Sequence, residues 1–139
     1  MLNDDVLWVL EIERVSFSAP WSEAAFLQEI QKHYSLSRIG EFRHYIVGYI
    51  CVNYLFDEGH ILNLAVHPDF RRQGVASFLM KDVLKTLKEK GCRFFYLEVR
   101  VSNFAAKTFY ERLGFRIVAF RKRYYVSPEE DAALMALEI

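Results

Sequence analysis

The sequence has 139 residues, enough to bury most of its unfolded surface in one core, and its 53% hydrophobic and 16% aromatic content excludes a disordered chain. Lys plus Arg and Asp plus Glu both number 18, so no global field gathers nucleic acid or an anionic membrane, and any anion has to be held locally. No apolar run reaches the roughly 20 residues of a membrane-spanning helix, and the acidic stretch Met1 to Asp5 is unlike a secretory signal. One soluble cytoplasmic domain over 1–139 is expected, a monomer or weak dimer, with Cys51 and Cys92 as reduced thiols.

Asp4 or Asp5 is placed to cap a first helix in which Leu7, Leu10 and Val15 recur at helical spacing to about Phe17. Ser18-Ala19-Pro20-Trp21 breaks that pattern, and Ser22 caps a second helix to about Lys32, with Phe26, Leu27 and Ile30 inward. Tyr34–Gly40, His44–Phe56 and His60–Val66 read as three antiparallel strands parted by turns at Gly40-Glu41 and Asp57-Glu58-Gly59. Val75, Leu79, Val83 and Leu87 then form one stripe of the longest helix, which stops at Gly91. A buried strand at Arg93–Arg100, a helix at Asn103–Leu113 ended by Gly114, and strands at Phe115–Val126 and Ala132–Glu138 complete the order ααβββαβαββ, a mixed α/β layer fold.

Between the third strand and the longest helix lies Arg71-Arg72-Gln73-Gly74-Val75-Ala76. In a tight strand-to-helix loop, successive amides and the unpaired first turn of the helix converge on an anion. Gly74 and Ala76 admit phosphate oxygens to the backbone, and Arg71 or Arg72 adds a charge-assisted bond. The spacing is neither that of a Walker loop nor that of a dinucleotide fingerprint.

Glu98 sits in the otherwise apolar strand Tyr96-Leu97-Glu98-Val99, where desolvation would raise its carboxyl toward neutrality and suit it to act as a general base. A structural pairing with Arg100, two residues along, is the alternative. Asn103, Lys107 and Tyr110 form a polar stripe on the next helix, beside an apolar stripe of Ala105, Phe109 and Leu113. Tyr110 is a candidate general acid, the ordinary pKa of a phenol being about 10; a half-buried aromatic with a satisfied hydroxyl is the alternative. No His/Cys/Asp cluster has metal-ligand spacing, so no metal is expected.

The loop resembles the [QR]-x-x-G-x-[GA] element of the Gcn5-related N-acetyltransferase (GNAT) family, Arg71, Gly74 and Ala76 being the matching positions. The resemblance covers nearly the whole chain and implies that acetyl-CoA is a substrate, its pyrophosphate held by amides from Arg72 through Gln73, Gly74 and Val75 to Ala76. It further implies that the thioester lies along Leu64-Ala65-Val66, whose backbone N–H stabilises the developing oxyanion. The family's first strand has no counterpart in Met1 to Asn3 and is expected to be absent or vestigial.

Leu97-Glu98-Val99-Arg100-Val101-Ser102-Asn103 and Phe109-Tyr110-Glu111-Arg112-Leu113-Gly114-Phe115 are similar to the RimI-type branch, which acetylates the N-terminal alanine of a small-subunit ribosomal protein. This implies Glu98 as base, Tyr110 as acid, and Asn103 and Lys107 as coenzyme contacts. Phe104 departs from the alanine common in relatives, a change that bears on the fit around the pantetheine arm. Phe17 to Ser22, Arg123-Tyr124-Tyr125 and Glu130-Asp131-Ala132 resemble substrate-side loops of that branch, although Trp21, Tyr124 and Tyr125 also suit ordinary packing. Two other readings stand beside this one: a small-molecule amine acetyltransferase, and a non-catalytic acyl-CoA-binding module.

Overall fold

The computed structural model describes residues 1–139. The elements follow in the expected order: α1 (Val6–Ser16), α2 (Glu23–Gln31), β1 (Ser35–Phe42), β2 (Tyr45–Leu55), β3 (Glu58–Val66), α3 (Val75–Glu89), β4 (Phe94–Arg100), α4 (Phe104–Arg112), β5 (Arg116–Val126) and β6 (Glu129–Glu138). Residues ahead of α1 form a 3-10 turn and no strand; the Met1 amino group donates to the Ser37 carbonyl of β1 at 2.8 Å.

Local chemistry sets the helix limits. Ser22 accepts from the Ala25 amide at 3.1 Å, the expected cap of α2. Asp5 does not cap α1, because its carboxylate turns back to the Leu2 amide at 2.7 Å to close the preceding turn. The buried stripe of α1 is also rotated from the expected one: Val6, Val9, Leu10 and Glu13 face inward, while Leu7 and Val15 are exposed. In α3, Leu79, Val83 and Leu87 are buried as expected, and Gly91 follows with φ +98°.

The six strands lie in the order β1-β2-β3-β4-β6-β5, all neighbours antiparallel except β3 and β4. One face packs against α3, joining Ile50, Val52, Leu79, Val83, Leu87, Phe95, Leu97 and Met135. The other packs against α1 and α2 through Val9, Leu10, Phe26, Tyr49 and Cys51. Both cysteines are free and buried, and burial pushes the Cys51 thiol up to about 12.

The parallel pair creates the opening in this layer. β3 and β4 pair only from Glu58–Phe94 to His60–Tyr96 and then separate. Beyond that vertex Ile61–Val66 remain bonded to β2, and Leu97–Arg100 to β6. The sheet is therefore forked between two strands that are each secured on the far side. Gly48 seats α3 close to this fork, since a Cβ there would lie 3.0 Å from Val75 and 3.1 Å from the Ala65 carbonyl.

Candidate active site

A cavity of about 230 Å³ fills the fork. Its walls are Asn63 and Leu64 of β3, Glu98 and Arg100 of β4, and Asn103 and Tyr110 from the α4 region. Phe17, Ser18, Ala19 and Trp21 of the α1–α2 loop and Tyr125 of β5 line it as well. Both expected chemical residues, Glu98 and Tyr110, thus reach one space, and the segment read as a substrate-side loop borders it.

The Arg71–Ala76 run forms the start of α3. Arg72 has φ +61° and Gly74 φ +85°, a turn in which no amide from Arg72 to Ser77 meets a protein acceptor. A Cβ added to Gly74 would meet nothing within 4 Å, so the loop is open at that residue. That suits an oxygen-rich anion. Both arginines are exposed but differ in use: Arg71 reaches back, donating from Nε to the Val66 carbonyl at 3.0 Å and from Nη2 to Ser16 Oγ at 3.3 Å, whereas the Arg72 side chain makes no hydrogen bond within the protein. Gln73 reaches the Asp69 carbonyl at 3.4 Å.

β3 also presents amides to the fork. The His67 amide donates to the Val47 carbonyl of β2 at 2.8 Å, and alternation along the strand directs the amides of Leu64 and Val66 the opposite way. Ala65, between them, is turned toward β2.

Glu98 does not pair with Arg100. Its Oε2 lies 2.7 Å from His60 Nε2, and its Oε1 lies 3.7 Å from Arg121 Nε. Burial on its own raises this carboxyl, but the hydrogen bond and charge of His60, with the charge of Arg121, outweigh it and hold Glu98 below its ordinary value. The expected rise toward neutrality is therefore reversed, because the strand neighbour that matters lies on β3. Arg100 is spent elsewhere: Nη1 donates to the Pro128 carbonyl at 2.9 Å and to Glu130 at 3.3 Å, and Nη2 donates to the Ser127 carbonyl at 3.2 Å. Its guanidinium lies 4.3 Å from the Tyr125 ring centroid.

On α4 the stripes are rotated as well. Ala106, Tyr110 and Leu113 pack toward the core, while Ala105 is exposed. Tyr110 therefore belongs to the inward stripe, its ring edge-on to Phe115 at 5.8 Å. Its hydroxyl has no protein hydrogen-bond partner, and burial, with the charge of Tyr125, pushes the phenol well above its ordinary value. That makes the proton harder to give up to a thiolate than the ordinary gap between a phenol and a thiol would. Asn103 caps α4, accepting from the Ala106 amide at 3.1 Å. Lys107 donates to the Val101 carbonyl at 2.6 Å and lies 4.4 Å from the Phe104 ring centroid, so its ammonium is already occupied.

Two residues of the site escape sequence reasoning. Glu13 is 1% exposed yet accepts from Tyr49 Oη, from Asn63 Nδ2 at 2.6 Å and from the Trp21 amide at 2.9 Å. Its signal was available, an acid at the inward phase of an apolar helix stripe. His60 had none, because only the β3–β4 register brings it beside Glu98. No group of three or more His, Cys, Asp or Glu side chains is placed to hold a metal, and no helix is long and apolar enough to cross a membrane.

Residues 8–115 match the acetyltransferase (GNAT) family. The chain is 35% identical over 133 residues to the [ribosomal protein bS18]-alanine N-acetyltransferase of Escherichia coli (strain K12), covering 92% of this chain and 87% of that protein. The crystal structure of the ribosomal-protein-S18-alanine N-acetyltransferase from Escherichia coli superposes with a TM-score of 0.92 at 33% identity, over 100% of this chain and 90% of the other. Ard1 from Thermoplasma volcanium gives 0.93 at 30% identity, over 100% and 94%.

Proposed function

Since the chain belongs to the acetyltransferase (GNAT) family, we propose that it transfers the acetyl group of acetyl-CoA to the N-terminal α-amine of a protein, the N-terminal alanine of a small-subunit ribosomal protein. The observation that carries this reading is the fork itself: one cavity has Glu98 on its β4 wall, Tyr110 on its α4 side and the α1–α2 loop at its rim. Similarity over 92% of this chain to the Escherichia coli enzyme, whose name specifies that acceptor, supports the choice of substrate.

In this reading the pyrophosphate rests on the free amides from Arg72 to Ala76, and the pantetheine arm runs beside β3. The Leu64 or Val66 amide, turned into the fork, donates to the carbonyl oxygen as negative charge develops there. Glu98, directly or through a water, takes a proton from the α-ammonium. The amine then attacks the thioester carbon, its nitrogen sheds a second proton to water as the C–S bond breaks, and the thiolate takes the Tyr110 proton, which solvent restores. No protein nucleophile is needed, and the high Cys51 thiol supplies none.

An α-amine has an ordinary pKa of about 7.7–8.0 against about 10.4 for a lysine. A base held as low as Glu98 serves the former better. The test is Glu98→Gln, with a fall in turnover of about 10²–10⁴ expected and acetyl-CoA affinity nearly unchanged; unaltered turnover rejects the assignment. Acceptor class is settled by peptides beginning with Ala, Ser, Met or Gly beside a lysine-only peptide and a polyamine. Exclusive polyamine acetylation refutes the protein substrate.

A further inference from the structure

We infer that His60 is a positioning residue of the acetyl-transfer site, the donor that fixes the Glu98 carboxylate in orientation and charge at the vertex of the fork. This rests on the reading of Glu98 as the base. His60 and Tyr96 are the last registered pair of β3 and β4, and Glu98 is the next residue on the same face of β4. The imidazole stacks on the Tyr96 ring, centroids 4.4 Å apart and planes 15° from parallel, which aims Nε2 across the divergence. Two acceptors cannot approach to 2.7 Å without a proton between them, and with Glu98 ionised as the base that proton is on Nε2, so the ring donates to Oε2. Oε1 is left for the proton of the incoming amine.

The other groups around Glu98 do not replace this contact. From β5, Arg121 is half exposed and its 3.7 Å separation is too long for a hydrogen bond, so solvent screens it. Tyr124 and Tyr125, also from β5, and Tyr96 of β4 are raised first by burial and further by the Glu98 charge, so they feel the carboxylate without neutralising it. Arg100, on the same β4 face, is held by Glu130 and the β5–β6 turn. From α1, the one carboxylate lining the cavity is Glu13, already holding three donors; from α4, Tyr110 is kept as a neutral phenol by burial. The His60 side chain is 26% exposed and that of Glu98 8%, so the imidazole also links a sheltered base to solvent.

This arrangement keeps Glu98 ionised through the pH range in which an α-amine begins to deprotonate. The acid limb of kcat/KM then follows the acceptor amine alone. Without the imidazole donor, desolvation dominates and protonation of Glu98 moves into the working range.

The test is His60→Phe, which preserves a ring on Tyr96 but removes the donor, alongside His60→Gln, which restores an N–H. Glu98 titration is followed by carboxyl 13C NMR, and kcat/KM is measured from pH 5 to 8. Expected is an upward move of the Glu98 titration by about one to three pH units in His60→Phe, a second protonation appearing in the acid limb, and partial return in His60→Gln. An unmoved Glu98 titration with a superimposable pH profile overturns the proposal. Glu98→Gln separates the two readings: full turnover there rejects the base, while the NMR titration still decides whether His60 controls the carboxyl.

Discussion

Asn63 of β3 donates its side-chain amide to Glu13 of α1 at 2.6 Å, and the same carboxylate accepts from the Trp21 backbone at 2.9 Å. One buried acid therefore ties the wall of the fork to the loop at its rim. An Asp or Glu is rarely buried unless its oxygens are satisfied, and here three donors meet one carboxylate. Glu13→Gln replaces an acceptor with an NH2 that faces donors, leaving at least one buried group unsatisfied. The expected destabilisation is about 1–3 kcal/mol in urea unfolding. Because the Trp21 tether loosens with it, KM for an Ala-first peptide should rise while acetyl-CoA affinity holds. A stability loss with unchanged KM would show that the loop is fixed by other contacts.

Gly74 is left-handed at φ +85°, and its missing side chain faces open space. A side chain there is strained by about 1–2 kcal/mol, although its Cβ would meet nothing within 4 Å. It would occupy the open space at a loop whose amides, Arg72 to Ser77, have no protein acceptor. Gly74→Val should thus weaken acetyl-CoA binding in calorimetry at least tenfold while the thermal midpoint falls by only a few degrees. Unchanged coenzyme affinity would place the pyrophosphate elsewhere.

Periodicity was enough to order the elements, because each helix stripe and each strand is locally encoded. The long apolar stripe of α3 and the Ser22 cap are legible for that reason. Where two stripes lie side by side, as on α1 and α4, sequence leaves the phase of the helix open, and packing against the sheet chose Glu13 and Tyr110 as inward residues. Glu98 was legible as an acid in an apolar strand, yet its charge state was not. That depends on His60, 38 residues away in sequence and brought alongside only by a parallel pairing three residues long. The cradle loop was legible in composition, but only the structure separates Arg71, which braces β3, from Arg72, whose side chain makes no hydrogen bond within the protein.

Tyr110 separates stability from chemistry. Its hydroxyl gives up no protein hydrogen bond when removed, so Tyr110→Phe should unfold at the same denaturant concentration as the wild type at pH 7. Turnover should fall by about 10²–10⁴ if the phenol protonates the leaving thiolate, and unchanged single-turnover rates would reject that role. The pH dependence gives an independent check. Burial, with the charge of Tyr125, raises the Tyr110 phenol, and burial first, then Tyr124, pushes Tyr125 up to about 12. A folded state that holds these protons more tightly than the unfolded chain, whose phenols titrate near 10, keeps their contribution in full below that pH. It loses the contribution as pH rises from there through the folded values. Wild-type stability should therefore be level from pH 7 to 9 and decline above about 10, and Tyr110→Phe, with one raised phenol fewer, should decline less steeply.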